Sequence, residues 1–192
     1  IFSFFDTEQR FINPYLVSST ISCANIPKKI KNKFLCDANL FIKKLNLVDG
    51  ILHYQVKYNR TKKKIYIIEV TRRMPGDMYL KFAEISSGYP ITKNLVNIYE
   101  RKKIKENTIE TQNYVIRKML IAKKNGEFQK FSINKNLKKK IILKKYFLRK
   151  KDFIKDHYYQ RIGVIMLKFD TKQEMLNEIK TIDDNLKVVL KS

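Results

Sequence analysis

One stretch of the sequence contains residues whose types and spacing could perform chemistry. Glu69 ends a strongly apolar run, residues 65–70, and Arg72 and Arg73 follow within four residues. A buried strand that delivers a carboxylate beside arginines can bind a cation together with phosphate oxygens. A helix beginning after Gly76 would add backbone N–H donors for an anion. The residues alone equally allow a structural ion pair between Glu69 and Arg73.

The residue pattern around this carboxylate predicts the elements that position it. Two strands, Ile51–Tyr58 and Ile65–Val70, are expected to pair as a hairpin joined by residues 59–64. Symmetric pairing about that loop places Gln55 opposite a residue near Glu69. A helix that Pro27 opens, with apolar residues at spacings of three and four, precedes the hairpin.

The elements that follow mix helices and strands. A helix is predicted from an N-cap at Asp77 to about Ser87, and Asn125-Gly126 is the strongest short hairpin signal. A capping box at Thr171 opens a late helix, whereas Asp183-Asp184 suggests a turn. Further strands are expected at Tyr114–Ile121, Phe128–Ile133, Ile141–Leu148, Gly163–Phe169 and Val188–Leu190. Hairpins mixed with separate helices predict an α+β fold.

This central stretch resembles the second half of the ATP-grasp superfamily, in particular its carboxylate–amine ligases. Those enzymes carry a glycine and then His-x-Glu on one strand, followed by a strand whose acid leads into an x-Asn-x-Arg-like turn and a glycine-containing loop. Gly50, His53 and Gln55 occupy the first pattern, and Glu69, Thr71, Arg73 and Gly76 occupy the second. The resemblance implies an incomplete ATP-grasp second lobe over residues 1–100, with an antiparallel sheet and packed helices. A small α+β C-terminal lobe over residues 101–192 is expected to follow.

The resemblance also implies a function and a set of roles. The implied enzyme uses ATP and Mg²⁺ to activate a carboxylate as an acyl phosphate, which an amine then attacks. Arg73 would contact the transferred phosphate, and Ile68 and His53 would belong to the nucleotide site. The implied metal ligands are Glu69, Gln55 and Thr71.

Two of those ligand positions depart from the family pattern. Gln55 replaces a glutamate and Thr71 replaces an asparagine. An amide or hydroxyl oxygen can still coordinate Mg²⁺, but the first change removes a negative charge, so weaker metal binding is expected. A non-catalytic interaction module that kept the fold and lost the metal is therefore an alternative.

The chain contains no phosphate-binding glycine motif. Its five glycines form no glycine-rich loop, and neither GxxxxGK[ST] nor GxGxxG occurs. Because ATP-grasp enzymes hold the nucleotide between two lobes, we expect a C-terminal part that lacks the nucleotide lobe and is inactive alone. The expected partners are that lobe and a small-molecule carboxylate and amine, with homo-oligomerisation as a further option.

The net charge of +23 raises the question of nucleic-acid binding. The chain has 33 Lys but only 8 Arg, and Lys, Ile and Asn are the residues of A/T-rich codons. Arg is the cation that reads guanine edges and binds phosphate bidentately. A basic nucleic-acid-binding protein is thus the weakest alternative, and any such binding should be non-specific and salt-dependent.

Other features favour a cytoplasmic protein with no membrane segment. No apolar run approaches the roughly 20 residues that span a bilayer. Cys23 and Cys36 lie 13 residues apart without neighbouring histidines, which excludes a zinc site with standard ligand spacing and predicts a pair of buried thiols.

Overall fold

A computed structural model describes residues 2–104 and 113–191 of the chain. The strands are β1 (Thr7–Arg10), β2 (Val17–Ile21), β3 (His53–Asn59), β4 (Lys64–Thr71), β5 (Tyr114–Leu120), β6 (Gly126–Ile133), β7 (Ile141–Tyr146), β8 (Phe153–Ile154), β9 (Gly163–Phe169) and β10 (Leu186–Leu190). The helices are α1 (Lys28–Lys44), α2 (Tyr79–Ser87), α3 (Ile91–Tyr99), α4 (Lys135–Lys138) and α5 (Lys172–Asn185). Antiparallel strand pairs with separate helices confirm the predicted α+β class.

The described residues form two compact units, each built from segments that are not contiguous in the chain. Unit 1 contains residues 2–24, 77–89 and 113–191, and unit 2 contains residues 25–76 and 90–104. The lobes predicted from sequence, 1–100 and 101–192, divide the chain differently and stay a prediction.

Unit 1 is organised around a five-stranded antiparallel sheet in the order β1-β2-β5-β9-β7. β5 and β9 pair over seven residues, and almost every residue of both strands is buried. One face packs against α5 through Met175, Ile179 and Ile182, as the apolar pattern of that helix predicts. The other face packs against Phe82 of α2. Both faces of the central strands are therefore covered, which explains their near-continuous apolar sequence.

The predicted start of α5 is confirmed. The Thr171 hydroxyl accepts a hydrogen bond from the Glu174 N–H at 3.1 Å. The Glu174 carboxylate accepts one from the Asp170 N–H at 3.2 Å, one residue before the position that a standard capping box uses. Both bonds satisfy N–H groups at a helix start, so local sequence fixes this helix end.

The hairpin predicted at Asn125-Gly126 is wrong. β5 pairs with β2 and β9, whereas β6 pairs with β10 and β8 in a separate three-stranded sheet. The Asn125 amide donates to the Lys155 carbonyl at 2.7 Å, and its oxygen accepts from the His157 N–H at 2.9 Å. Gly126 has φ of +152°, and a Cβ there would lie 3.3 Å from Leu190 Cδ1. Asn125 thus hydrogen-bonds residues that are distant in sequence, and Gly126 leaves room for Leu190, so neither residue forms a hairpin turn.

Predictions for two aspartates and one cysteine are also wrong. Asp77 does not cap α2, because Asp77 and Met78 both have positive φ, 56° and 60°, and the helix begins at Tyr79 without a side-chain cap. Asp183 lies inside α5 instead of a turn. Both cysteines are free, but Cys36 is exposed, so a buried thiol is not found there.

Unit 2 consists of α1, α3 and the hairpin of β3 and β4. The Phe34 and Phe41 rings of α1 contact Tyr54 of β3, with centroids 5.1 Å and 6.4 Å apart. No residue of α1 is buried. The prediction that the second hairpin strand is buried is wrong, since Ile67 and Ile68 of β4 are 55% and 62% exposed. Within the described residues, the two strands pair only with each other.

No helix among the described residues is long and apolar enough to cross a membrane.

The Lys118–Asp183 pair provides a test of this architecture. The Lys118 side chain is only 3% exposed, and its Nζ lies 2.6 Å from Asp183 Oδ1. Burial lowers the Lys118 pKa, and Asp183 opposes that shift. We expect Asp183→Ala to lower the free energy of opening of unit 1 by roughly 3 kcal/mol, because it leaves a buried cation uncompensated. Hydrogen exchange of the β5 and β9 amides measures this.

Asp170→Ala is the matched control, because Asp170 pairs with Lys140 at 2.7 Å but is 84% exposed. It should have a much smaller effect on the same amides than Asp183→Ala, because water solvates and screens an exposed ion pair. Equal effects of the two substitutions would contradict a structural role for the buried pair.

Candidate functional site

The hairpin of unit 2 brings four of the predicted site residues onto one face. His53 is the cross-strand partner of Thr71, and Gln55 is the partner of Glu69. Directly opposite residues of an antiparallel pair share a face, and every second residue of β3 returns to it. The predicted pairing of Gln55 with Glu69 is therefore confirmed as geometry, whereas the metal role of these residues stays a prediction.

A β-bulge lies next to this pair. Val56 pairs with Ile67, so Ile68 is an extra residue of β4 between the Gln55–Glu69 and Val56–Ile67 pairs. A bulge increases local twist and redirects side chains, and bulges are common beside functional sites. Ile68, predicted to line the nucleotide site, thus occupies an irregular and exposed position beside Glu69.

The oxygen atoms of this face suit a hard cation only in part. Glu69 is exposed, whereas Gln55 and Thr71 are partly buried. Among residues 2–104 and 113–191, no three His, Cys, Asp or Glu side chains are grouped as a metal site. One carboxylate, one amide and one hydroxyl offer oxygen ligands of the kind Mg²⁺ accepts, but with a single negative charge. The residues fit a weak site completed by water or phosphate oxygens.

The two arginines after β4 differ in their surroundings. The Arg72 guanidinium donates to the Val48 carbonyl at 3.2 Å and lies against Gly50. Gly50 has φ of +147°, and a Cβ there would lie 3.2 Å from Arg72 Nη2, so both conformation and space favour glycine. Arg73 is exposed and donates to the Met74 carbonyl at 3.3 Å. No ion pair joins Glu69 to Arg73 in the described structure, so the structural alternative is wrong.

Sequence reasoning missed a buried polar cluster in unit 1. The Arg117 guanidinium of β5 donates to the Asp77 carbonyl at 2.8 Å and to the Thr20 hydroxyl at 3.0 Å. It also lies 5.3 Å from the centre of the Tyr79 ring. The Tyr79 hydroxyl in turn donates to the Asp6 carboxylate at 2.5 Å. The Asp77 carboxylate pairs with Arg161, so both its backbone and its side chain are held by arginines.

Burial sets the electrostatics of this cluster. Desolvation raises the pKa of Asp6 to about 6, against the opposing effects of the Tyr79 hydrogen bond and the Arg117 charge; the Glu8 charge raises it further. Burial likewise raises the Tyr79 pKa well above its ordinary value and lowers that of Arg117. The signal that could have located the cluster is the Arg117-Lys118 doublet inside an otherwise apolar strand, because such cations require partners.

Comparison with solved structures identifies the fold. Phosphoribosylglycinamide synthetase from Anaerococcus prevotii matches with a TM-score of 0.74 at 19% identity, over 97% of this chain and 49% of that one. L-amino acid ligase from Bacillus licheniformis matches with a TM-score of 0.80 at 15% identity, over 97% and 47%. N5-carboxyaminoimidazole ribonucleotide synthetase from Thermotoga maritima matches with a TM-score of 0.66 at 13% identity, over 92% and 48%.

These matches show that the chain has an ATP-grasp fold, as its sequence resemblance implies. The chain spans about half the length of the solved structures it matches. No protein-family model and no curated protein matches the sequence.

The buried cluster predicts a specific pH dependence. The ordinary pKa of Asp6 is 3.8 and its folded value is about 6, so the folded protein retains a proton that the unfolded chain releases in this interval. The Asp6 contribution to stability is thus full below the unfolded pKa of 3.8. It falls by roughly 3 kcal/mol in all as the pH rises through 6 and levels off near pH 7. We expect Asp6→Asn, which mimics the protonated form, to remove this loss. Urea unfolding from pH 4 to 7.5, followed by circular dichroism, measures it.

Asp170→Asn is the control, because Lys140 lowers the pKa of the exposed Asp170. That substitution should not remove the loss of stability between pH 4 and 6. If Asp6→Asn and the parent protein show the same pH profile, the Asp6 pKa is not raised by folding and the electrostatic assignment of this cluster is wrong.

Proposed function

We propose that the chain supplies the metal- and phosphate-binding hairpin of an ATP-dependent carboxylate–amine ligase. The observation that supports this most directly is the cross-strand register, which places Gln55 opposite Glu69 and His53 opposite Thr71 on one face. The ATP-grasp fold provides the context, and several matched enzymes are named as ligases or synthetases.

In this proposal the residues of the hairpin have different binding roles. Glu69, Gln55 and Thr71 would hold Mg²⁺ through oxygen atoms, and Glu69 provides the only negative charge among them. Ile68 and His53 would contact the nucleotide, and the exposed guanidinium of Arg73 would bind phosphate oxygens. Bound Mg-ATP would supply the phosphoryl group and neutralise charge while a carboxylate is activated for attack by an amine.

The proposal includes a requirement for further protein. ATP-grasp enzymes resembling this chain enclose the nucleotide between two lobes, and the chain spans about half of the matched structures. We therefore propose that it acts with a nucleotide lobe in the cytoplasm, on small-molecule substrates, and has no activity alone. Residues 1–100 and 101–192 would be its ATP-grasp second lobe and C-terminal lobe.

A second candidate is a non-catalytic module with the ATP-grasp fold. The neutral Gln55 opposite Glu69 favours it, because two carboxylates hold a hard cation better than one carboxylate and an amide. This module would keep the hairpin as an interaction element. Metal affinity separates the two candidates.

Restoring a carboxylate at Gln55 tests the metal site. We expect Gln55→Glu to raise Mg²⁺ affinity at least tenfold, which at saturating metal adds about 1.4 kcal/mol to the free energy of unfolding. Without metal the same substitution should destabilise unit 2 slightly, because like charges would lie directly opposite each other. Thermal unfolding with and without millimolar Mg²⁺ measures both effects.

Gln129→Glu is a matched control in unit 1. Gln129 also lies on a strand, and its amide donates to the Glu127 carboxylate at 2.6 Å, so this substitution likewise puts two carboxylates together. It should not show the Mg²⁺-dependent gain. If Gln55→Glu gains no more from Mg²⁺ than the parent and this control, the proposed ligand set is wrong.

The requirement for a nucleotide lobe is tested by titration with Mg-ATP. We expect the chain alone neither to hydrolyse ATP nor to bind it with micromolar affinity. The hairpin provides a single carboxylate for the metal, and in the proposal a second lobe is needed to enclose the nucleotide. Isothermal titration calorimetry and a phosphate-release assay measure this. Micromolar binding that persists in Glu69→Gln would show that the nucleotide binds elsewhere.

A further inference from the structure

Residues 144–159 of unit 1 combine exposed cations with exposed aromatic rings. This segment contains six Lys and Arg, two Asp, and five Phe and Tyr. All six cations are exposed: Lys144, Lys145, Arg149, Lys150, Lys151 and Lys155. The five rings are 43–63% exposed: Tyr146, Phe147, Phe153, Tyr158 and Tyr159. We call these exposed side chains together the aromatic–basic surface.

The segment is folded around the buried Phe128. The ring of Tyr146 lies 6.4 Å from the Phe128 ring, measured between centroids. The Lys151 N–H donates to the Phe128 carbonyl at 2.7 Å, and the Phe128 N–H donates to the Asp152 carbonyl at 2.9 Å. Phe153 follows directly, on the short strand β8 that pairs with β6. Cations and rings of the segment therefore lie near one another in unit 1.

Hydrogen bonds also fix the backbone at both ends of the segment. The Phe147 N–H donates to the carbonyl of the buried Ile162 at 2.7 Å. Towards the other end, the Asn125 side chain hydrogen-bonds both the Lys155 carbonyl and the His157 N–H. Because the backbone is already ordered, binding a ligand to these side chains requires little further loss of conformational entropy.

The positive charge of the aromatic–basic surface is not neutralised within the described residues. None of its six cations forms an ion pair there. The carboxylates of Asp152 and Asp156 accept hydrogen bonds from backbone N–H groups of the segment, at 2.6 Å and 3.0 Å. Unit 2 has no excess of acid to offer, because residues 25–76 and 90–104 contain 17 Lys and Arg but only 4 Asp and Glu. The counter-charge is therefore expected from another molecule.

Protection of a sheet edge explains only part of this surface. β7 is the edge strand of the five-stranded sheet, and lysines on such a strand prevent unwanted strand pairing. Lys144 and Lys145 could have that role. The other four cations lie outside β7, however, and edge protection does not require exposed rings.

The combination of charge and rings indicates the chemistry of the ligand. Single-stranded nucleic acid alternates phosphates with flat bases, and proteins bind it through cations on the phosphates and aromatic side chains that stack on the bases. Elements that bind at a membrane surface separate an apolar face from a charged one, whereas cations and rings follow one another along this segment. An acidic polypeptide would match the cations but offers no flat groups for five rings.

We infer that the aromatic–basic surface binds single-stranded nucleic acid without sequence preference. Its Lys and Arg side chains contact phosphates, and its Phe and Tyr rings stack on bases. Lysine acts as a point charge and an aromatic ring stacks on any base, so this surface discriminates little between sequences. The inference does not rest on the proposed ligase function, since the segment lies in unit 1, outside the hairpin of β3 and β4.

Fluorescence anisotropy with the full chain tests the inference. The probes are labelled uridine RNA and thymidine DNA oligonucleotides of about 12 nucleotides, and a DNA duplex for comparison. We expect both single strands to bind, with a Kd that rises at least tenfold between about 50 and 200 mM salt, because binding releases counterions. Tighter binding of one of the two single strands would identify which polymer the surface prefers.

Tyr159→Ala tests the stacking contribution. It should weaken binding of single strands at least fivefold and leave duplex binding unchanged, because paired bases are not free to stack on the ring. Tyr159→Phe keeps the ring and should bind like the parent. Tyr99→Ala is the matched control, since Tyr99 is an exposed tyrosine of unit 2, and it should have no effect.

The pair Lys144→Gln and Lys145→Gln tests the phosphate contacts. Together these substitutions should reduce the slope of log Kd against log salt by about 1.4, which is the value for two lost phosphate contacts on a single strand. Lys28→Gln with Lys29→Gln is the matched control, because these are also adjacent exposed lysines but belong to unit 2. It should leave the slope unchanged.

Several outcomes would overturn the inference. They are no binding of either single strand, equal losses in the Tyr159→Ala and Tyr99→Ala variants, or equal slope changes in the two lysine pairs. Binding to phosphatidylserine vesicles without binding to oligonucleotides would favour a membrane surface instead. Competition by polyglutamate as strong as that by unlabelled oligonucleotide would favour an acidic protein.

Discussion

The burial of two adjacent cations in β5 is the constraint on which unit 1 depends. Adjacent strand residues point to opposite faces, so Arg117 and Lys118 require compensation on both sides of the central sheet. On one side the requirement is met by a backbone carbonyl, a hydroxyl and the Tyr79–Asp6 pair. On the other it is met by Asp183 of α5. These contacts fix the N-terminal segment, the start of α2 and α5 on the sheet.

The same constraint accounts for irregular backbone near α2. Asp77 and Met78 have positive φ, which is unfavourable for residues with a Cβ. Their conformation presents the Asp77 carbonyl to Arg117 while the Asp77 carboxylate pairs with Arg161. Satisfying a buried guanidinium is worth more than the strain and the absent N-cap together, since an unpaired buried charge costs several kcal/mol.

Unit 2 follows a different principle. Its hairpin places Gln55, Glu69 and Thr71 on one face through backbone pairing alone, while most of its side chains stay in contact with water. Backbone register thus brings these side chains together although few residues of the unit are buried. In the proposed function, one carboxylate with an amide and a hydroxyl would bind Mg²⁺ weakly unless phosphate oxygens completed the shell. An ATP-grasp fold by itself does not specify activity.

Local sequence determined a large part of this protein. It predicted the helix after Pro27, the capped start of α5 and the hairpin that joins Gln55 to Glu69, because caps, apolar periodicity and short-loop pairing involve residues close in the chain. Tertiary structure alone decided that β5 and β6 lie in different sheets, although Asn125-Gly126 separates them. It also decided that the Tyr79 hydroxyl donates to the Asp6 carboxylate and that much of β4 is exposed. These features depend on contacts between residues far apart in sequence and on how much polypeptide surrounds a strand, and no local pattern records either quantity.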